Sequence, residues 1–66
     1  MIDKKNLKGK FITYIDKDSK CRTSKVIKVS GSYITVKTAV GSKFRIHKDN
    51  IKGRQLPKRG IEKIIW

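Results

Sequence analysis

The side chains of this chain that could do covalent chemistry are one thiol, one imidazole and a nearby carboxylate. Cys21 is the only cysteine, His47 the only histidine, and Asp49 follows His47 two positions later. These are the residue types of a thiol hydrolase, but nothing in their spacing brings them together. A lone cysteine in a small domain usually acts as a minor hydrophobic residue. We therefore expect no catalytic residues and no enzymatic activity.

Metal ligands are equally scarce. One cysteine and one histidine exclude a four-ligand zinc site of the Cys/His type, and no disulfide can form within these 66 residues. Asp16 and Asp18 alternate like the start of a calcium loop, but the sixth and twelfth places hold Cys21 and Ile27 instead of Gly and Glu. We interpret the segment as a polar turn and expect neither a metal nor another cofactor.

The strongest signal is charge. Eighteen Lys and Arg against five Asp and Glu give a net charge of +13, which attracts nucleic acid, anionic membrane or an acidic protein. AT-rich coding would raise Lys and Ile, but it would also raise Glu, and the chain has one. Lysine predominates over arginine, and lysine contacts phosphates as a point charge instead of reading base edges. The composition favours phosphate contacts with nucleic acid, with duplex DNA ahead of RNA because few aromatics could stack on bases.

The segment YITVKTAVGSKFRIH (33–47) predicts two strands joined by a turn. Its apolar residues alternate with polar ones, so one face can be buried while the other faces water. The buried set is Ile34, Val36, Phe44 and Ile46, and the outward set is Tyr33, Thr35, Lys37, Lys43, Arg45 and His47. The outward set is a candidate basic binding surface. The alternative is a solvated face that lysines keep soluble.

Other basic segments extend the candidate site. In KGRQLPKRG (52–60), Arg54 and Arg59 could fork onto phosphate oxygens, although a solvated connector is an equal alternative. Residues 1–8 are expected to form a flexible basic arm. Tyr33 could stack on a base of a single strand, although simple surface packing is the commoner role. The predicted nucleic-acid-binding residues are Lys25, Tyr33, Lys37, Lys43, Arg45, Lys48, Arg54, Lys58 and Arg59.

The elements that must position these side chains are mostly strands. Segments 10–16, 21–29, 33–38, 43–47 and 61–66 are rich in β-branched and aromatic residues, and KDNI (48–51) suits one 3₁₀ turn. The sequence thus predicts one all-β domain over residues 1–66, a small five-stranded antiparallel barrel, partly open. The predicted inward residues are Phe11 or Ile12, Ile15, Val26 or Ile27, Val29, Ile34, Val36, Phe44, Ile46, Ile51, Leu56, Ile61 and Ile64. Trp66 is expected to cap the barrel.

From Lys8 to Ile51 this pattern resembles the SH3-like barrels of the Tudor and KOW groups. Gly9 precedes the first strand, YIDKDSKCRTSKV looks like the first Tudor hairpin with its acidic turn, and KDNI follows the Gly-turn hairpin. The resemblance implies an SH3-like fold. It argues against methyl-ligand reading, because the positions matching the Tudor aromatic cage, around Cys21 and Ala39-Val40, are not aromatic. The second Gly of KOW motifs is also missing from DKDSK.

Two function hypotheses follow. The first is a non-enzymatic protein that binds nucleic acid, as an accessory or regulatory factor of the kind phages and mobile elements encode. The second is a small adaptor or inhibitor whose basic face docks an acidic partner protein. MIDKKNLKGK has no signal-peptide pattern and no stretch is long enough to span a membrane, so we expect a cytoplasmic protein without a membrane partner.

Overall fold

The chain folds into short strands joined by tight turns. The computed structural model describes residues 1–58 and 60–66. Within them lie β1 (Ile2–Asp3), β2 (Phe11–Ile15), β3 (Cys21–Ser30), β4 (Tyr33–Lys37), β5 (Lys43–His47), β6 (Ile51–Leu56), β7 (Gly60–Glu62) and β8 (Ile64–Ile65). Two 3₁₀ turns, Lys4–Asn6 and Lys48–Asn50, complete the elements, and the second is the one predicted from KDNI. Because the described residues contain no α-helix, the all-β prediction is confirmed.

The main sheet has six antiparallel strands in the order β5-β4-β3-β2-β6-β7. Its two end strands, β5 and β7, are not paired with each other, so this six-stranded sheet does not close on itself. The short strands β1 and β8 form a separate parallel pair. The prediction of five strands is thus wrong in number: residues 51–56, expected in part as a loop, form β6, and the predicted tail strand is split between β7 and β8.

The core lies on one face of this curved sheet. Its buried hydrophobic residues are Leu7, Ile12, Tyr14, Val26, Ile34, Val36 and Ile46, with Ile2, Val29, Ile51 and Ile64 partly buried against them. The Tyr14 hydroxyl, which would be costly to bury alone, is hydrogen-bonded to the Ser24 hydroxyl at 2.9 Å. The sequence left open which residue of two pairs faces the core. In the structure, Ile12 is buried and Phe11 is exposed, and Val26 is buried more fully than Ile27.

Several predicted inward residues are in fact exposed. Ile15 and Ile61 face solvent, and Phe44 is 53% exposed although it pairs with the buried Val36. Phe44 lies on the end strand β5, where no further strand covers its side chain. Trp66, the expected cap, keeps 37% of its surface exposed.

A β-bulge in β3 explains why Val26 and Val29, which strict alternation would place on opposite faces of the strand, both point toward the core. Val26 pairs with Val36 and Lys28 with Thr35, so Ile27 is the extra residue. Strict alternation after Val26 would turn Lys28 toward the core and Val29 toward water. The bulge reverses both, so that Val29 packs against the core and Lys28 is exposed.

Residues 1–8, expected as a basic arm, carry β1 and the first 3₁₀ turn. Leu7 at the end of this segment is fully buried in the core. The chain then runs beside β3, where the Gly9 amide donates to the Val26 carbonyl at 2.8 Å and the Val26 amide donates to the Lys10 carbonyl at 2.8 Å. The first eight residues are therefore part of the fold.

Candidate nucleic-acid interface

The face of β3, β4 and β5 opposite the core is a basic surface without a carboxylate. Residues paired in register share a face of the sheet. Three rows cross the three strands here, and we call them together the basic face. The rows are Lys25–Lys37–Lys43, Lys28–Thr35–Arg45 and Ser30–Tyr33–His47. Thus the predicted separation of inward and outward residues in segment 33–47 is confirmed in register.

The first row places three lysines side by side. Lys37 is the direct partner of both Lys25 and Lys43, and all three are exposed. Neighbouring strands lie roughly 4.8 Å apart, so the three Cα atoms span roughly 10 Å. Successive phosphates of one strand of duplex DNA rise about 3.4 Å along the axis, so the row is about as long as three nucleotide steps.

Arg45 is held in place by an aromatic neighbour. Its guanidinium carbon lies 4.9 Å from the centroid of the Tyr33 ring, a cation–π arrangement. The Tyr33 and His47 rings also meet edge to face, with centroids 5.0 Å apart. Because Arg45 covers one face of the Tyr33 ring, less of that ring is open for stacking on a base.

Two of the five carboxylates of the chain are engaged away from the basic face. Asp16 of the β2–β3 turn pairs with Arg22 of β3, and Glu62 pairs with Arg54 at 3.1 Å. Asp49 borders the basic face beside His47, with its Oδ2 3.4 Å from Nδ1. Among the ion pairs recorded for residues 1–58 and 60–66, none involves a lysine. The lysines of the basic face therefore have no internal counterion.

Both paired carboxylates are shifted toward the ionised form. The Arg22 guanidinium, hydrogen-bonded to Asp16, lowers the pKa of that carboxyl, and the backbone amides of Lys20 and Asp18 add to the effect. The Arg54 guanidinium likewise lowers the pKa of Glu62, helped by the amino terminus. Both ion pairs join residues that lie outside the basic face.

The remaining predicted site residues fall away from the three rows. Lys48 begins the second 3₁₀ turn and is exposed, and Lys58 lies exposed in the turn after β6. Arg54 is half-buried in β6, where it is tied to Glu62 of β7, so it is not a free fork for phosphate. The prediction for Arg59 lies outside the described residues.

The sequence analysis did not predict two residues that lie next to the predicted binding residues. Phe11 is the direct partner of Lys25 and is exposed, so it extends the lysine row by an aromatic side chain. Lys28 belongs to the second row only because of the bulge at Ile27. For Phe11 one indication was present in the sequence, because the register of FITYI left open whether Phe11 or Ile12 faces outward. No residue pattern predicted the bulge.

The structure separates the residue types that could do catalysis. Cys21 begins β3, while His47 is aligned through Tyr33 with Ser30 at the other end of that strand. Within the described residues, no three His, Cys, Asp or Glu side chains come together as metal ligands would. In the β2–β3 turn, Asp16 instead accepts hydrogen bonds from the backbone amides of Asp18 and Lys20.

A groove lined by both apolar and charged side chains lies between the β2–β3 turn and the β4–β5 turn. Ile15, Val40 and Phe44 contribute exposed apolar side chains to it, and Arg45 of the basic face reaches its rim. Its volume is about 1120 Å³. Hence an exposed apolar surface adjoins the basic face, which the sequence did not suggest.

Comparison of the chain with protein-family models, with curated proteins and with solved structures finds no match. In the part of the chain that the structure describes, no helix has the length and apolar character needed to cross a membrane.

Proposed function

We propose that this protein binds nucleic acid without catalysing a reaction, and that it does so through phosphate contacts of the basic face. Duplex DNA is the favoured ligand, and RNA is the nearest alternative. The role is accessory or regulatory, because phosphate contacts fix position on a nucleic acid without reading its sequence.

One observation carries this proposal: Lys25, Lys37 and Lys43 are paired in one row with no recorded counterion. Like charges directly opposite one another on a sheet cost stability. A polyanion lying across the row removes that cost and releases its own condensed counterions, which drives binding. Arg45, stacked on Tyr33, adds a guanidinium whose planar fork suits phosphate.

The proposed fold is a small SH3-like barrel built on the six-stranded sheet. The meander β2-β3-β4-β5, the 3₁₀ turn after it and the return of β6 to pair with β2 follow the order of that fold. The β4–β5 turn carries Ala39 and Val40 at the positions where a Tudor domain has aromatic cage residues. This supports a phosphate-binding role over the reading of methylated side chains.

A titration against three ligands tests the proposal. Duplex DNA, single-stranded DNA and RNA of matched length are each titrated at salt concentrations between about 50 and 200 mM. We expect the tightest binding to duplex DNA, similar affinity for unrelated sequences and a steep loss of affinity with salt. Affinity that does not change with salt, for every ligand, would refute a phosphate-contact mechanism.

The second candidate function, a small adaptor that docks an acidic partner protein, is favoured by the exposed Phe44. This side chain and Ile15 offer an apolar anchor point next to Arg45, and an acidic surface around an apolar side chain would fit both. Interface energy concentrates in such buried anchors with a charged rim.

Nuclease treatment separates the two functions. In a pull-down from nuclease-treated lysate, an adaptor retains a stoichiometric protein partner, and a Phe44→Ser variant loses it. If instead all co-purifying protein is lost after nuclease treatment, while Phe44→Ser still binds duplex DNA with unchanged affinity, the nucleic-acid function stands and the adaptor is excluded.

A further inference from the structure

A second cluster of lysines lines a groove on the other side of β3. The groove has a volume of about 410 Å³ and is lined by Lys4, Lys5, Lys8, Ile27, Lys28, Val29 and Gly31. Four of these seven residues are lysines, and no carboxylate is among them. We call it the lysine groove.

Backbone hydrogen bonds hold this groove open beside the strand. β4 lies on one side of β3, whereas residues 9 and 10 pair with Val26 on the other side as the chain enters β2. Lys4 is tied across the groove, because its ammonium donates to the Gly31 carbonyl at 3.3 Å. Burial of Leu7 anchors the segment that carries Lys5 and Lys8, so these two charges are positioned by the fold.

The lysine groove is continuous with the basic face. Lys28 lines the groove and also belongs to the row Lys28–Thr35–Arg45. From Lys28 in β3 through Thr35 in β4 to Arg45 in β5, the row crosses two strand spacings of roughly 4.8 Å each, or roughly 10 Å, and Lys5 and Lys8 lie beyond Lys28 in the groove. Such a distance corresponds to about three nucleotides of one duplex strand.

We infer that the lysine groove is a second phosphate-binding site for the same nucleic acid, reached by one backbone that crosses the basic face over Lys28. This inference rests on the proposed function. The groove volume falls within the range of about 300–1,000 Å³ typical of small-ligand sites. Lysines suit such a site because they neutralise phosphates as flexible point charges.

Three double variants, each removing two charges, test the inference. Lys5→Gln/Lys8→Gln alters the groove, Lys43→Gln/Arg45→Gln alters the basic face, and Lys17→Gln/Lys20→Gln in the β2–β3 turn is the matched control. All six side chains are exposed. A duplex of about 12 base pairs, roughly 40 Å long at 3.4 Å per step, exceeds the 27 Å extent of the domain, so it can cover both sites.

The slope of log affinity against log salt is the measured quantity. We expect the groove variant and the face variant each to lower its magnitude by about 1.8, two contacts at about 0.9 each, and the control to leave it unchanged. A groove variant that matches the control while the face variant loses slope overturns the groove site and leaves the proposed function standing. Absence of salt-dependent binding by the wild-type protein overturns both.

Two further measurements keep the result clear. Amide resonances of the wild-type protein are followed during duplex addition, which needs no variant to fold: we expect Lys5, Lys8 and Gly31 to shift and Ser19 of the β2–β3 turn to stay fixed. Static groove resonances contradict the inference. Binding to phosphatidylserine vesicles is measured in parallel, and a groove variant that loses only vesicle binding assigns the groove to a lipid surface instead.

Discussion

Lys37 and Lys43 are direct cross-strand partners, although nothing in the hairpin requires two positive charges to face each other. Lys37 meets a second lysine, Lys25, on its other side. Opposed like charges weaken a sheet by tenths of a kcal/mol to about 1 kcal/mol per pair. The nucleic acid that we propose as the partner would supply negative charge to this surface, so stability and binding should oppose each other here.

Replacing Lys37 by Gln is the first prediction. The variant removes both repulsive pairs, so its free energy of unfolding should rise by roughly 0.5–1 kcal/mol at low salt, and the gain should shrink as salt screens the charges. Its affinity for duplex DNA should fall. Lys17→Gln, which lies in a turn, should change neither quantity by a comparable amount. A destabilised Lys37→Gln protein would mean that the lysine row is not under repulsion.

Tyr33 is the subject of the second prediction. Tyr33→Leu removes the ring that orients Arg45, and an exposed cation–π contact is worth about 0.5–1 kcal/mol, so affinity should fall about two- to fivefold. Tyr33→Phe keeps the ring and should retain affinity. Since orientation of Arg45 serves every phosphate ligand, duplex and single-stranded DNA should be affected alike. A loss confined to single strands would assign Tyr33 to base stacking.

Gly53 gives a third prediction, which concerns the fold. An added Cβ would lie 2.5 Å from Ile61 Cγ2 and closer still to the Glu62 carbonyl oxygen, so β6 and β7 could not remain at their present separation. Gly53→Ala should destabilise the domain by roughly 1–3 kcal/mol in thermal or denaturant unfolding. At Gly60 an added Cβ would lie 3.3 Å from Leu56 Cδ1 and 3.9 Å from Leu56 Cβ, so Gly60→Ala is the control and should be much milder.

Acid should weaken the fold through Glu62, which is the fourth prediction. Arg54 lowers the pKa of Glu62 in the folded state. Its contribution is therefore complete above the unfolded-state pKa of about 4.3 and is lost as the pH falls through the lower folded-state pKa. Glu62→Gln should be less stable than the wild type at neutral pH, and the difference should vanish in acid.

The control for this pH dependence is Asp18→Asn. Asp18 is exposed and takes part in none of the ion pairs recorded for the described residues. Thermal unfolding followed between neutral and acidic pH should give parallel curves for this variant and the wild type. If Glu62→Gln also runs parallel to the wild type throughout, the Arg54–Glu62 pair does not couple stability to pH.

The sequence was most informative where alternation is regular. Ile34, Val36 and Ile46 are buried as predicted, because a strand exposes alternate side chains to opposite faces whatever its surroundings. Alternation failed at Ile27, since a bulge depends on how two strands fit together and not on the residues of one strand. The predicted burial of Phe44 was wrong for a related reason. Its side chain lies on the predicted face, but whether another strand covers it depends on which strand ends the sheet.

Strand pairing between residues far apart in the chain was the other feature that the sequence did not predict. β6 contains Lys52, Gly53 and Arg54, which favour a loop locally, yet it pairs with both β2 and β7. Gln55 helps to fix it, because its side-chain oxygen accepts a hydrogen bond from the Thr13 hydroxyl at 2.7 Å. Glu62 lies eight residues after Arg54, and no residue pattern between them marks it as the ion-pair partner, so the sequence predicts a phosphate-binding role for Arg54.

The most direct test of the phosphate-contact account is the salt dependence of duplex binding by Lys43→Gln/Arg45→Gln. The five cations of the basic face, Lys25, Lys28, Lys37, Lys43 and Arg45, should contribute about −4.5 to the slope of log affinity against log salt of the wild-type protein if each meets one phosphate. The double variant should stay folded, because both side chains are exposed. Its slope should shrink by one to two units, equally for unrelated sequences. An unchanged slope in a folded variant would contradict the account, because the charge of the basic face would then not be the binding surface.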